Sequence, residues 1–178
     1  MTSTTDRRDI VGGVDPVKNW HMALAWAADE AHLRGVGLRL VVAVPPRHDT
    51  RHVDDTPRHL AQRKAGTEAL RTALAWAHAR QPDIETTSSL LDGFPAASLA
   101  ALSDQACLIV LGSRHLSRPE EFLSAGSQVV PVTAKAHCPV AVVVGRRGRG
   151  GYSGMRVGSV VHGLLHRAHC PVITVPVG

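Results

Sequence analysis

Short apolar runs alternate with stretches of helical period along this chain. Ile10–Val14 is apolar and closes on Asp15-Pro16, the pattern of a buried strand meeting a turn. Trp20, Ala23, Leu24, Ala27 and Ala31 then recur at spacings of three and four, which predicts an amphipathic helix stopped by Gly35. His32 and Arg34 fall in its last turn, where positive charge suits the helix dipole. Leu38–Val44 is a second buried strand, closed by Pro45-Pro46. Residues 47–55 are polar and predict a loop. Thr56 as N-cap and Pro57 in the first turn predict a helix ending before Pro82. Its expected inner face is Leu60, Thr67, Leu70, Leu74 and Ala77. Ile84–Leu91 alternates with polar residues, so it is placed at a sheet edge. A short helix follows from Pro95 to about Ser103, then a buried strand at Cys107–Leu111 that opens into a loop at Gly112.

Strand and helix thus alternate from end to end. That pattern predicts an α/β fold with an open parallel sheet and helices on both faces. In such sheets ligands bind beyond the carboxyl ends of the strands, where Asp15 and Gly112 fall.

The end of the chain is written twice. Ala136-His137-Cys138-Pro139-Val140 recurs as Ala168-His169-Cys170-Pro171-Val172, and Gly126-Ser127 recurs at the same offset as Gly158-Ser159. Val110-Leu111-Gly112-Ser113-Arg114 has a looser echo in Val143-Val144-Gly145-Arg146-Arg147. The repeated unit is strand, glycine loop, helix, Cys-Pro, strand. Residues 1–144 therefore form one α/β domain, and 145–178 a duplicated loop-helix-strand extension, packed on the same sheet or swapped to a partner.

Charge follows this division. The formal +5 is carried by Arg146, Arg147, Arg149, Arg156 and Arg167, with no acid among residues 145–178. A basic loop of this kind attracts phosphates or acidic surfaces, and it can equally be a solvated surface. Without interleaved aromatics it does not make a dedicated nucleic-acid surface. No apolar run is long enough to span a membrane, and Met1–Asp9 lacks a signal-peptide core, so a cytoplasmic protein is expected. Cys107, Cys138 and Cys170 have no C-x-x-C spacing and are expected to be small buried residues in a reducing compartment.

The second loop has glycines at Gly145, Gly148 and Gly158, followed by Ser159. Glycines let backbone N–H groups approach phosphate oxygens, and a serine at a helix N-terminus adds a donor. His162 and His166 stand at i and i+4, with His169 beyond, but no carboxylate or cysteine completes a metal set. His48, His52 and His59 belong in or beside a polar loop. Trp20, Trp26 and Trp76 are expected to pack helices. Ser98, Ser103 and Ser159 have no G-x-S-x-G context, and no nucleophile–base pair stands out, so no catalytic residue is assigned.

The stretch from Gly145 through Ser159 is similar to the ATP loop of the universal stress protein family. Gly13-Val14-Asp15 and Ala23–Ala27 resemble that family's first strand and first helix. The resemblance covers nearly the whole chain from Asp9. It implies a Rossmann-like sheet of order 3-2-1-4-5 and ATP or another adenine nucleotide between strands 1 and 4. It also implies a regulatory role without turnover, and dimerisation through strand 5. Carried onto this chain, it assigns Asp15 to the adenosine, the backbone of Ala43 and Val44 to adenine, and Gly112, Arg114, Gly126 and Ser127 to phosphate. Gly145, Gly148, Gly158 and Ser159 form a second candidate phosphate loop. No metal is implied beyond an Mg ion carried with the nucleotide. The first loop departs from the family pattern at His115, carries Glu120 and Glu121, and has one extra residue before Gly126. A family member that binds no nucleotide and acts through protein contacts is the alternative.

Two arrangements of the sheet are open. In one, 107–111 is strand 4, 140–144 is strand 5, and about 172–176 adds a sixth strand. In the other, 140–144 takes the strand 4 position and 107–137 is extruded. Extrusion would expose several Val and Leu side chains at about 1.5–3 kcal/mol each, which favours the first.

Overall fold

The computed structural model describes residues 8–17, 20–47, 54–112 and 129–144. Among these residues there are five strands: β1 (Asp9–Gly13), β2 (Leu38–Val44), β3 (Thr86–Asp92), β4 (Ala106–Gly112) and β5 (Val140–Val143). The helices are α1 (His21–Arg34), α2 (Thr56–Arg80), α3 (Pro95–Leu102) and the short α4 (Val129–Thr133). The strands form one parallel sheet in the order β3-β2-β1-β4-β5. The order and the helical layers are those expected from the sequence. Residues 106–112 hold the strand 4 position, and 140–143 the strand 5 position, so the extruded arrangement is excluded. The expected sixth strand lies outside the described residues.

Side chains alternate across the pleat and build two cores. Ile10, Leu38, Leu40, Val42, Leu108 and Val110 pack under α1 and α2. Val11, Val41, Ile109 and Leu111 pack on the opposite face with Leu99 of α3 and Val132 of α4. Four consecutive buried residues in β4, Leu108–Leu111, feed both cores. One irregularity interrupts the register: Asp9 pairs with Ala106 but Ile10 with Leu108, so Cys107 is the extra residue of a bulge.

Several local signals act as expected. Gly35 ends α1 at φ 61°, and the Val36 N–H bonds back to the Ala31 carbonyl at 3.1 Å. Trp20 is 9% exposed and meets Trp76 edge to face, with ring centroids 6.3 Å apart, so these rings pack α1 on α2. β3 is the edge strand, beginning two residues later than expected, while Ile84 turns into the core.

Two readings of α2 need correction. Thr56 is not the N-cap but lies inside the helix. Asp54 Oδ1 accepts its N–H at 2.9 Å, and its hydroxyl accepts from Arg47. The inner face is Gly66, Leu70, Ala73 and Ala77, whereas Leu60 is 59% exposed and Thr67 is also exposed. At about 3.6 residues per turn, Leu60 and Thr67 both lie about 90° or more round the helix from that face.

Candidate functional site at the carboxyl edge of the sheet

Because all strands are parallel, the ends of β1, β2 and β4 share one edge. Val14, just past β1, donates its N–H to the Val41 carbonyl at 2.8 Å, which carries the pairing to the point where Asp15 begins. Asp15 is half-buried, and its Oδ1 accepts the Val17 N–H at 3.0 Å. That bond orients the carboxylate through a turn of its own making, while leaving it further acceptor capacity. Gly112 closes β4 opposite Val143, and the register Gly12↔Val110 brings it level with Val14.

A Cβ on Gly13 would stand 2.9 Å from Leu111 Cδ2 and 3.6 Å from Leu99 Cδ1, so the leucines of β4 and α3 close over the backbone there. On the other face, a Cβ on Gly112 would stand 3.4 Å from Ala23 Cβ of α1. The end of β2 is tied differently. The Val44 carbonyl accepts the Gly93 N–H at 2.8 Å, and the Val44 side chain is sealed in the α1/α2 core. Arg63 of α2 pairs with Asp92 at the end of β3, and Arg47 donates to Thr56, so these cations along the edge have protein partners.

Asp15, Ala43, Val44 and Gly112 therefore converge on one edge. Arg114, Gly126 and Ser127 of the first loop, and Gly145, Gly148, Gly158 and Ser159 of the second, lie outside the described residues. His115, Glu120, Glu121, His48, His52, His162, His166 and His169 do too. His59 Nδ1 is 3.2 Å from the Pro45 carbonyl, a local contact beside the loop. Among the described residues no group of three or more His, Cys, Asp or Glu side chains is gathered for a metal ion. No described helix is long and apolar enough to cross a membrane.

The opposite edge carries polar chemistry that the sequence did not announce. Ser103, in a single 3-10 turn between α3 and β4, is fully buried. Its hydroxyl donates to the Ala100 carbonyl at 2.5 Å and accepts the His137 N–H at 2.8 Å. Asp104 Oδ1 meets His137 Nδ1 at 2.6 Å. A cleft of about 280 Å³ opens nearby, lined by Arg8, Asp9, Arg39, Asp104 and Gln105, and it mixes both signs of charge. Cys107 and Cys138 are free and half-buried, and burial pushes the Cys138 thiol above its ordinary pKa, away from thiolate reactivity. No local pattern could have marked Ser103: its partner lies 34 residues further on.

The parallel order β3-β2-β1-β4-β5, with helices on both faces, defines an open α/β domain of Rossmann-like type. The chain belongs to the universal stress protein family, whose profile matches residues 6–143 and again 141–176. The second match falls on the duplicated ending. Universal stress protein Rv1996 of Mycobacterium tuberculosis is 28% identical over 179 residues, covering 99% of this chain and 50% of its own length. The chain thus spans about half the length of that curated relative. The universal stress protein from Archaeoglobus fulgidus in complex with dAMP is 27% identical, with a TM-score of 0.55 over 76% of this chain and 96% of its own. The protein UspA from Lactobacillus plantarum, 20% identical, shares the fold with a TM-score of 0.65 over 77% of this chain and 97% of its own.

Proposed function

We propose that this chain binds an adenine nucleotide, ATP in the first instance, across the carboxyl edge between β1 and β4. Its output is regulatory: a conformational or dimeric state set by the ligand, without dedicated turnover. The carrying observation is the Asp15 carboxylate, fixed at the end of β1 by the Val17 N–H with acceptor capacity to spare. A ribose or adenine donor satisfies it. Gly112 ends β4 beside it without a side chain of its own. The backbone at Ala43 and Val44 would meet adenine. Gly112, Arg114, Gly126 and Ser127 would meet the phosphates, and any Mg ion would arrive with them. The complex of the Archaeoglobus fulgidus relative with dAMP supports the ligand class.

Assembly as a cytoplasmic homodimer through β5 belongs to the same proposal. β5 is a four-residue strand at the end of the described sheet, half-buried along its length. The second reading is a family member that binds no nucleotide and works through protein contacts. His115, Glu120 and Glu121 favour it, since two carboxylates repel a triphosphate and a Cβ at 115 obstructs backbone approach. Calorimetry with ATP on the unaltered chain, Asp15→Ala and Gly126→Val separates the two. Heat from the unaltered chain that both variants lose supports the site; equal heats from all three sink it.

A further inference from the structure

One aromatic ring stands at the candidate binding edge and belongs to neither core. Phe94 holds the N-cap position of α3 and is 61% exposed. Its main chain is nevertheless fixed on both sides. Gly93 donates its N–H to the Val44 carbonyl at 2.8 Å, and the Phe94 carbonyl accepts the Ser98 N–H at 3.0 Å. Gly93 has φ 154°, and a Cβ there would stand 2.6 Å from Ser98 Oγ, so the turn into Phe94 requires glycine.

The packing of α3 sets the level of this ring. α3 carries the chain from the carboxyl end of β3 back towards the amino end of β4, so it runs antiparallel to β1. Leu99 Cδ1 lies 3.6 Å from where a Gly13 Cβ would be, which brings these two residues level. Phe94 is about 7.5 Å back along the helix from Leu99, and Asp15 is about 6.6 Å beyond Gly13 along the strand. Phe94 and Asp15 therefore reach one level past the sheet, with Phe94 on the α3 side. The pleat puts Ala43 on that side too, since Val41 packs in the α3/α4 core. Of the large apolar side chains exposed among the described residues, Val17, Met22, Leu60 and Phe94 stand towards the carboxyl edge, and Leu33 towards the other. Phe94 alone of these has a π-face.

We propose that Phe94 is the stacking residue of this site, its ring lying against one face of the nucleotide base. The inference rests on nucleotide binding at Asp15. Phe94 has two side-chain torsions to fix and a main chain already held, so ordering it against a ligand costs little. Stacking tolerates any flat base. Phe94 thus selects for a base over phosphate charge alone, and the hydrogen bonds at Asp15, Ala43 and Val44 choose which base.

Titration calorimetry with ATP on the full chain, unaltered and as Phe94→Ala, Phe94→Leu and Phe94→Trp, tests this. Alanine and leucine are expected to weaken ATP binding about 5–150-fold, the range for removing a stacking ring, and tryptophan to preserve it. Urea midpoints should match in all four chains, because the side chain is exposed. Leucine binding ATP as well as phenylalanine overturns the proposal, as does tryptophan losing as much as alanine. A weakening that comes only with a lowered urea midpoint overturns it by assigning the effect to folding. Equal affinities in all four chains overturn the stacking role and leave nucleotide binding at Asp15 standing. Absence of heat from the unaltered chain overturns both.

Discussion

The two edges of the sheet are built from opposite materials. At the amino edge, side chains close onto backbone: Ser103 spends its donor on Ala100 and its acceptor on His137, and Asp104 adds the imidazole. Arg80 and Gln81 at the end of α2 both reach Asp29 of α1 nearby. At the carboxyl edge β4 ends on Gly112, and Asp15 is oriented by its own turn and not by a distant partner. Polar groups that satisfy one another contribute stability. A polar group held in place with spare bonding capacity is suited to a ligand. The stable edge and the candidate binding edge are therefore separate, and a change at one should leave the other's property largely intact.

The largest expected effect belongs to neither edge. Ile109 is fully buried in β4, the strand that joins both, and Ile109→Ala should cost about 2–5 kcal/mol in urea unfolding. A loss under about 1 kcal/mol would mean that β4 is not the buried interior strand described. Ser103→Ala comes next. It leaves the His137 N–H without its buried acceptor and should cost about 1–3 kcal/mol, while Asp15→Ala stays within about 0.5 kcal/mol. Equal losses at the two positions would break the contrast between the edges.

The contrast should invert for ligand. Loss of a hydrogen bond at Asp15 should weaken ATP binding about 10–150-fold, from about 1.5–3 kcal/mol for a charged partner, whereas Ser103→Ala should leave the affinity unchanged. Titration calorimetry of both variants checks this. The smallest effect concerns pH. Bonds from Arg80, offset in part by burial, hold the Asp29 carboxyl below its ordinary value. Its contribution to stability is therefore complete above the ordinary carboxylate range and lost as pH falls through the depressed folded value. The pair is partly exposed, so Asp29→Asn should cost under about 1 kcal/mol at neutral pH and nothing in acid. A cost that persists in acid would place the effect in packing.

Much of the framework was legible because its signals are local. Gly35 stops α1 through a left-handed residue, Pro82 marks the end of α2, and the apolar run at Leu108–Leu111 reads as a strand buried on both faces. The errors in α2 have local causes. Leu60 lies too far round the helix from Gly66, Leu70, Ala73 and Ala77 to be buried, and Thr56 gives up the cap position because Asp54 reaches its N–H. Asp15 was found because its place after a strand is visible in one dimension. Ser103 was not, because a serine before an apolar strand is ordinary until a backbone N–H 34 residues away is brought to it.

The sequence by itself determined the alternation of strand and helix, the duplicated ending, the confinement of excess positive charge to residues 145–178, and the family resemblance. Each of these depends on near neighbours or on the chain compared with itself. Tertiary structure alone decided that residues 106–112 rather than 140–143 stand beside β1, that Leu111 and Leu99 close over Gly13, and that Ser103 and Asp104 clasp the first pentapeptide. Both copies carry nearly the same local pattern, so local propensity cannot rank them. Only simultaneous burial of β4 in two cores, and the hydrogen bonds that close around it, separates one arrangement from the other.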